Sequence, residues 1–200
     1  MSSTRDREID EMLAERAIHK VILRSAQASD RGDYDLMVSC FWPDATMDAG
    51  IFNGSISSLF AMIKDAPVIP DYVLKHVVGN VLIEVHLEDH CARSETYCFG
   101  GDRSVAADGT VMERVTHVRY IDRFEERNGE WRIQKRLVAY DWSTSTPVTV
   151  KELPDVVSCA PASAAAKTVQ ARQIVDNQRD NQRAGGIAGV RFLAMFAPPV

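Results

Sequence analysis

The dipeptide Asn128-Gly129 joins two long segments in which polar and apolar residues alternate, 111–126 and 131–142. Alternation with a period of two is typical of a β-strand that has one buried face. Asn-Gly is the preferred pair in a two-residue type I′ turn, because both central residues adopt a positive φ. The sequence therefore predicts a long antiparallel hairpin centred on this turn.

The same turn predicts which residues of the hairpin face each other. Counting outward in an unbroken ladder pairs Phe124 with Ile133 and Asp122 with Lys135, the second being a favourable pair of opposite charges. Phe124 and Ile133 then belong to a mainly apolar face, and Arg136 lies on the opposite face. We expect one face to line a cavity and the other to pack against a partner.

Two more alternating segments precede the hairpin, at 72–85 and 91–99. In the first segment the apolar residues change from one set of alternate positions to the other at Gly79-Asn80, which indicates a β-bulge. Upstream, residues 6–28 are predicted to form a helix, because their apolar residues recur every four positions: Ile9, Leu13, Ala17 and Val21. Helices followed by a strongly bent antiparallel sheet make an α+β fold. Shorter elements are a helix at 34–41 capped by Asp33, a strand at 46–52, an Asn53-Gly54 turn, and a helix from Ser55 or Ser57 to Lys64.

The length of 200 residues fits one domain, predicted at 1–145, and an extension at 146–200. We expect the extension to be partly helical, and either to dock on a neighbouring subunit of a homodimer or homotrimer or to be disordered. The net charge of −5 argues against a nucleic-acid partner, which needs clustered basic residues. No apolar run reaches membrane-spanning length and no signal-peptide core begins the chain, so we expect a cytoplasmic protein without membrane contact. The cysteines show no metal-ligand spacing, and His86 and His90 fall in a predicted connection between strands, where a solvated loop is expected rather than a metal site.

His76 is the most informative polar residue, because it lies in the apolar segment 72–85. A buried imidazole needs a hydrogen-bond partner, since an unpaired polar group in the interior costs about 1–3 kcal/mol. Asp30, just past the first predicted helix, is the partner we expect. Taken alone, Asp30 is typical of a turn and His76 of a satisfied core histidine; together they predict a base that a carboxylate orients.

Several stretches together resemble one family. They are Ser-Asp-Arg-Gly-Asp-Tyr-Asp at 29–35, Cys-Phe-Trp-Pro-Asp-Ala at 40–45, the segment around His76 and the hairpin at 119–133. They resemble SnoaL-like proteins of the nuclear transport factor 2-like superfamily, over about three-quarters of the chain. The resemblance implies a cone-shaped α+β barrel, in which a bent sheet wraps around helices and encloses a deep apolar pocket.

The branch that this chain resembles includes scytalone dehydratase, bile acid 7α-dehydratase and hexachlorocyclohexane dehydrochlorinase, which use a His-Asp pair as the base of an elimination. The resemblance implies that His76 is this base, Asp30 its partner and Arg136 a pocket arginine. Ser25 replaces the lysine of the dehydrochlorinase, and serine cannot supply a positive charge to departing chloride. Ser25 is expected to hold water or to donate weakly to a leaving group. Residues expected to contact substrate are Ser25, Tyr140, Tyr97 and Trp42.

The sequence thus predicts a cofactor-independent lyase, most simply a dehydratase, that acts on a small hydrophobic or polycyclic molecule. An isomerase that moves a double bond through the same base is the first alternative. A ligand-binding or interaction protein with the same fold, but with its interior filled by side chains, is the second. No metal or other cofactor is expected in any of these cases.

Overall fold

The structure is a computed structural model and describes residues 4–50, 52–64, 73–106 and 108–149. Its helices are α1 (Thr4–Arg31), α2 (Tyr34–Ser39) and α3 (Ile56–Lys64). Its strands are β1 (Phe41–Asp48), β2 (Asn53–Ser55), β3 (Val73–His86), β4 (Cys91–Val105), β5 (Val111–Arg127) and β6 (Glu130–Pro147). The strand β6 ends just beyond the predicted boundary at residue 145, and the extension from residue 150 onward lies outside the described residues.

Helix α1 is longer than predicted at both ends, so Asp30 lies in its last turn rather than after it. The predicted apolar stripe is correct only in the second half of the helix. Ile9 and Leu13 are 39% and 59% exposed, because the buried face passes through other positions. The residues buried on α1 are Ala14, Ile18, Val21, Ile22, Ser25, Ala26 and Ala28.

The segment between α1 and α3 differs more from the sequence prediction. Asp33 caps α2 as expected, with its Oδ1 accepting from the backbone N–H of Leu36 at 3.0 Å. Helix α2 stops at Ser39, however, two residues before its predicted end, and the next strand, β1, begins at Phe41. The predicted Asn53-Gly54 turn is instead strand β2, and the chain reverses at Gly50, where φ is +74°.

The six strands form one curled sheet in the order β2-β1-β6-β5-β4-β3. The sheet is mixed rather than wholly antiparallel, because β1 pairs with β6 in the parallel sense. Helix α1 packs inside the curl against β3 and β6. The predicted α+β cone is therefore confirmed, with one parallel pairing that joins distant parts of the chain.

The hairpin turn is confirmed, with φ of 55° at Asn128 and 80° at Gly129. The predicted register holds as far as Phe124 opposite Ile133 and then shifts by one residue. Gln134 is the extra residue, so Asp122 lies opposite Arg136 and not opposite Lys135. This bulge also places Arg136 on the same buried face as Ile133, which corrects the predicted separation of the two faces.

The core lies between α1 and the inner face of the sheet. Its largest fully buried apolar side chains are Phe41, Phe124, Ile18, Ile22 and Ile133. Burying each of them contributes roughly 1.5–3 kcal/mol relative to exposure, and Phe60 of α3 closes one side by an edge-on contact with Phe41. Among the described residues, none of the helices is both long and apolar enough to span a bilayer.

Candidate functional site

His76 and Asp30 meet inside the cone although 46 residues separate them in sequence. His76 lies on the inner face of β3, and its Nδ1 is 2.7 Å from Asp30 Oδ1 in the last turn of α1. Their side chains are 14% and 16% exposed. Because a carboxylate only accepts hydrogen bonds, Nδ1 carries a proton, and in the neutral imidazole Nε2 is then an acceptor. The contact expected from the sequence is present.

The bulge in β3 explains why His76 faces inward. Val78 pairs with Cys98 and Val81 with Thr96, so Gly79 and Asn80 form the irregular step. Beyond the bulge the inner positions are apolar, and before it the same face carries His76. An unbroken strand with this sequence would turn either the apolar residues or the histidine outward. The bulge thus keeps both on the inner face.

Arg136 is in the core and does not reach into solvent. Its Nε and Nη2 donate to Asp122 Oδ1 and Oδ2 at 2.8 and 2.7 Å, and its Nη1 donates to Ser25 Oγ at 3.4 Å. Burial alone lowers the pKa of Arg136, but the Asp122 carboxylate outweighs this effect and the pKa is raised. Arg136 is therefore a permanent cation whose strongest donors are already occupied.

Ser25 is buried and already hydrogen-bonded. Its Oγ donates to the carbonyl of Ile22 at 2.8 Å and accepts from Arg136. The expected donation from Ser25 to a leaving group therefore conflicts with the observed geometry, in which its single proton is engaged within α1.

Tyr140 is on the inner face of β6, opposite Val118. Its hydroxyl is buried and has no hydrogen-bond partner among the described residues. Burial raises the pKa of Tyr140, so the phenol keeps its proton at neutral pH. Of the four residues expected to contact substrate, Tyr140 alone places an unused donor in the interior.

Tyr97, which the alternation in the sequence left compatible with either face, lies on the outer face of the sheet. It is 45% exposed, whereas its neighbours Thr96 and Cys98 are buried. Alternation along β4 fixes this outcome, because successive side chains point to opposite faces. Tyr97 therefore does not line the interior of this chain.

Trp42 does not lie near His76 either. Its Nε1 donates to the carbonyl of Glu125 at 3.0 Å, and the guanidinium groups of Arg127 and Arg132 lie over its ring. Along β5 the path from Thr116, beside the histidine, to Glu125 covers roughly 30 Å. Trp42 thus packs at the end of the sheet that holds Glu125, away from Thr116.

A second group of inner-face residues lies beside His76 and was missed in the sequence. Gly100 is directly opposite His76, and Thr116 is opposite Gly100. One position further along, Arg114 Nε donates to Asp102 Oδ2 at 2.8 Å. The predicted strand ended at Phe99, because glycine and aspartate, which follow it as Gly100-Gly101-Asp102, are depleted in strands; the structure continues β4 to Val105.

The interior becomes more accessible toward this group. Exposure of the side chains is 0% and 7% for Asp122 and Arg136, and 12% and 23% for Asp102 and Arg114. The side chain of His76 is 14% exposed, which lies within the range of the second pair. Among the described residues, His76 therefore lies in the more accessible part of the interior. Among the residues that the structure describes, no cluster of three or more potential metal-ligating side chains occurs.

The sequence matches one known protein family. The family model for the SnoaL-like domain covers residues 10–137. The chain belongs to the SnoaL-like domain family. The matched region runs from α1 to the Arg136 segment of β6 and so contains both partners of the histidine–aspartate contact. No curated protein matches this sequence.

Solved structures share the fold at low sequence identity. A putative scytalone dehydratase from Novosphingobium aromaticivorans has a TM-score of 0.55 and 14% identity, covering 75% of this chain and 97% of its own. A hexachlorocyclohexane dehydrochlorinase of LinA type 2 has a TM-score of 0.60 and 16% identity, covering 75% and 99%. The type 3 enzyme from Novosphingobium barchaimii has a TM-score of 0.59 and 17% identity, covering 74% and 99%. At these identities the likeness establishes the fold.

Proposed function

We propose that this SnoaL-like protein is a cofactor-independent lyase that eliminates water from a small hydrophobic or polycyclic molecule. The observation that carries the proposal is the 2.7 Å contact between His76 Nδ1 and Asp30 Oδ1 on the inner face of the cone. The names of the similar structures support a lyase, since a dehydratase removes water and a dehydrochlorinase removes hydrogen chloride.

The proposed reaction uses His76 Nε2 as the base. Nε2 takes a proton from a carbon next to the one that carries the hydroxyl, and the electron pair of that C–H bond becomes the new C=C bond. The C–O bond breaks, and the departing oxygen takes a proton from the imidazolium and leaves as water. Asp30 stabilises the imidazolium between the two transfers, and general acid–base help of this kind contributes about 10²–10⁴-fold.

Arg136 receives a different role from the one its sequence position suggested. Its strongest donors bind Asp122, and it also contacts Ser25, which is on the same helix as Asp30. We assign Arg136 the role of a positioning residue, which ties α1 to β6 and so holds Asp30 against His76. Tyr140 is the proposed donor to a substrate oxygen, because its buried hydroxyl has no partner within the described chain.

A double-bond isomerase is the second candidate, and the same contact supports it. In that reaction His76 returns the proton to a different carbon of the substrate, and no oxygen leaves. The two reactions are separated by product mass, since the lyase product has lost one water and the isomerase product has the mass of the substrate.

The test is a turnover screen of the purified full-length protein against hydroxylated steroids, terpenoids and polyketides, with products read by mass spectrometry. We expect His76→Ala to abolish any turnover found and to keep the thermal unfolding temperature within a few degrees. His90→Ala is the matched control, because His90 Nδ1 makes an equally short contact with Glu126 but is 69% exposed. Full activity in His76→Ala would refute both catalytic proposals, whereas binding of a compound without any turnover would favour the non-catalytic binding protein.

A further inference from the structure

We propose that the apolar segment 187–196 of the extension docks on the outer face of the chain's own sheet. Its docking site is the outer row, which we define as the side chains of Val77, Phe99, His117 and Trp142. The row lies on the side of the sheet away from the core, so the docking is independent of the reaction proposed for His76.

The outer row crosses four strands at one level of the sheet. Val77 pairs with Phe99, Phe99 with His117, and His117 with Trp142. The ring of Phe99 meets His117 edge-on with 4.6 Å between the centroids, and the ring of Trp142 stacks on His117 at 4.1 Å. These contacts make one continuous surface about 14 Å wide, which is three spacings between strands.

The outer row is exposed although its side chains are mainly apolar. Val77 and Trp142 are each 58% exposed, and Phe99 is 43% exposed. Tyr97, the next outer-face residue of β4, extends the same surface. Single apolar residues are ordinary on a protein surface, but a contiguous patch of large ones marks a docking site. Such exposure means that none of the described helices and strands covers the row.

The segment 187–196 has the composition of a partner for this surface. It reads Ile-Ala-Gly-Val-Arg-Phe-Leu-Ala-Met-Phe, whereas residues 176–183 before it read Asp-Asn-Gln-Arg-Asp-Asn-Gln-Arg. Apolar side chains gain free energy when they leave water, and the run is too short to span a bilayer. An exposed apolar surface of the protein itself is the site we infer for its burial.

The charges beside the outer row match the single charge of the segment. Arg119, the next outer-face residue of β5 after His117, donates to Asp141 at 3.0 Å and to Glu95 at 3.3 Å. Two carboxylates thus share one guanidinium, and the three groups together are negatively charged. Arg191, the only charged residue of the segment, supplies the missing positive charge when the segment lies on the row.

The chain leaves the described structure close to the outer row. Strand β6 ends at Pro147, five residues after Trp142, which is about 17 Å along a strand. Residues 150–186 connect this point to the segment, and a chain of that length reaches roughly 120 Å when extended. A segment tethered so near its site has an effective concentration in the millimolar range. A second copy in dilute solution does not reach that concentration, which favours the chain's own sheet over a neighbouring subunit.

Thiol labelling of the full-length protein measures whether the outer row is covered. In a Cys91→Ser/Cys159→Ser background, Val77→Cys should react with a maleimide at least about tenfold more slowly than Leu13→Cys, because a tethered segment covers it most of the time. Leu13 is the matched control, since it is 59% exposed but lies on α1.

Substitutions in the extension identify the segment that covers the row. The variant Phe192→Ser/Leu193→Ser/Phe196→Ser should raise the labelling rate of Val77→Cys to that of Leu13→Cys. The matched variant Gln173→Ser/Asn177→Ser/Asn181→Ser should leave the protection intact. Arg191→Glu should reduce the protection about threefold, the effect of a partly exposed ion pair, whereas Arg183→Glu should not. Circular dichroism and thermal unfolding show that each variant is folded.

Cross-linking shows which chain supplies the segment. Tyr97→Cys and Leu193→Cys in one chain should be joined by a short bis-maleimide in a product of monomer mass. The yield of this product should be the same at all protein concentrations, because both thiols belong to one molecule. A cross-linked dimer whose yield rises with concentration is the result expected of a neighbouring subunit.

Four results would overturn the docking: equal labelling of Val77→Cys and Leu13→Cys, protection that survives the triple serine variant at 192, 193 and 196, protection unaltered by Arg191→Glu, or cross-linking that gives mainly dimers. None of these measurements depends on turnover. His76→Ala should leave all of them unchanged, so a failure of the proposed reaction and a failure of the docking are told apart.

Discussion

Arg136 meets Asp122 through two parallel hydrogen bonds of 2.8 and 2.7 Å, and both side chains are almost completely withdrawn from solvent. The guanidinium carbon also lies 4.3 Å from the ring centroid of Tyr120. Two charges in such surroundings are stable only as a pair, because each alone would carry the full penalty of leaving water. The pair therefore joins β5 to β6, and replacing only one of its two residues should be strongly destabilising.

Arg136→Met should consequently lower the free energy of unfolding by about 3–5 kcal/mol, since it leaves the Asp122 charge buried and alone. The double variant Arg136→Met/Asp122→Leu should recover most of this loss, because no charge is then left unpaired. Urea denaturation of both variants measures the difference. Arg123→Met is the control: Arg123 is 59% exposed and 3.3 Å from Glu125, so its loss should change stability by less than about 1 kcal/mol. If Arg136→Met lowered the free energy of unfolding as little as Arg123→Met does, this prediction would be wrong.

Asp30→Asn tests whether catalysis needs His76 to be correctly oriented as well as present. The amide can donate a hydrogen bond to Nδ1, which favours the tautomer with its proton on Nε2 and removes the free acceptor. We expect kcat/KM to fall by about 10²–10⁴-fold while the unfolding temperature changes little, measured on whichever substrate the screen identifies. Glu126→Gln makes the same chemical change at the exposed His90 contact and should be silent. Equal loss in both variants would point to a general effect on folding.

The sequence predicts the parts of this fold that depend on local signals. Asn128-Gly129 predicts its turn because few other pairs tolerate two positive φ angles. The bulge at Gly79-Asn80 is predicted because the apolar residues change there from one set of alternate positions to the other. Asp33 caps α2 because its carboxylate can reach the free N–H groups of the first turn. The contact of His76 with Asp30 also follows, once an inward-facing imidazole is known to need a partner.

Features that depend on tertiary packing escape the sequence. Nothing in the sequence around Gln134 indicates the bulge in β6. That one extra residue nevertheless changes the cross-strand neighbour of Asp122 from Lys135 to Arg136. The parallel pairing of β1 with β6 joins segments about ninety residues apart, which no local pattern encodes. Ile9 and Leu13 continue a regular helical stripe, but the sheet covers the helix at other positions.

Tyr140→Phe should have opposite effects on stability and on function. The hydroxyl that it removes is buried without a partner among the described residues, and an unsatisfied buried group costs about 1–3 kcal/mol. Unfolding in urea should therefore show equal or greater stability in the variant. If the phenol donates to a substrate oxygen, kcat/KM falls at the same time. A stability loss above about 1 kcal/mol would mean that the hydroxyl has a partner in the folded protein.

Cys40 and Cys98 provide a test of burial through pH. Both thiols are almost fully buried, and burial raises the pKa of each because it disfavours the thiolate. A raised folded-state pKa stabilises the protein fully below the thiol's ordinary value, and this contribution is lost as the pH rises through the folded value. The free energy of unfolding should thus decline in alkaline solution, and the decline should be smaller in Cys40→Ala/Cys98→Ala.

The same thiols should react slowly in the native state. In a Cys159→Ser background, labelling with a thiol reagent at pH 8 should be fast at the partly exposed Cys91 and at least about a hundredfold slower at Cys40 and Cys98, since the thiolate is the reactive form. In denaturant all three should react alike, which excludes an intrinsic difference between the sites. Rapid native labelling of Cys98 would mean that the interior next to Tyr120 and Val118 opens to solvent far more readily than its 1% exposure indicates.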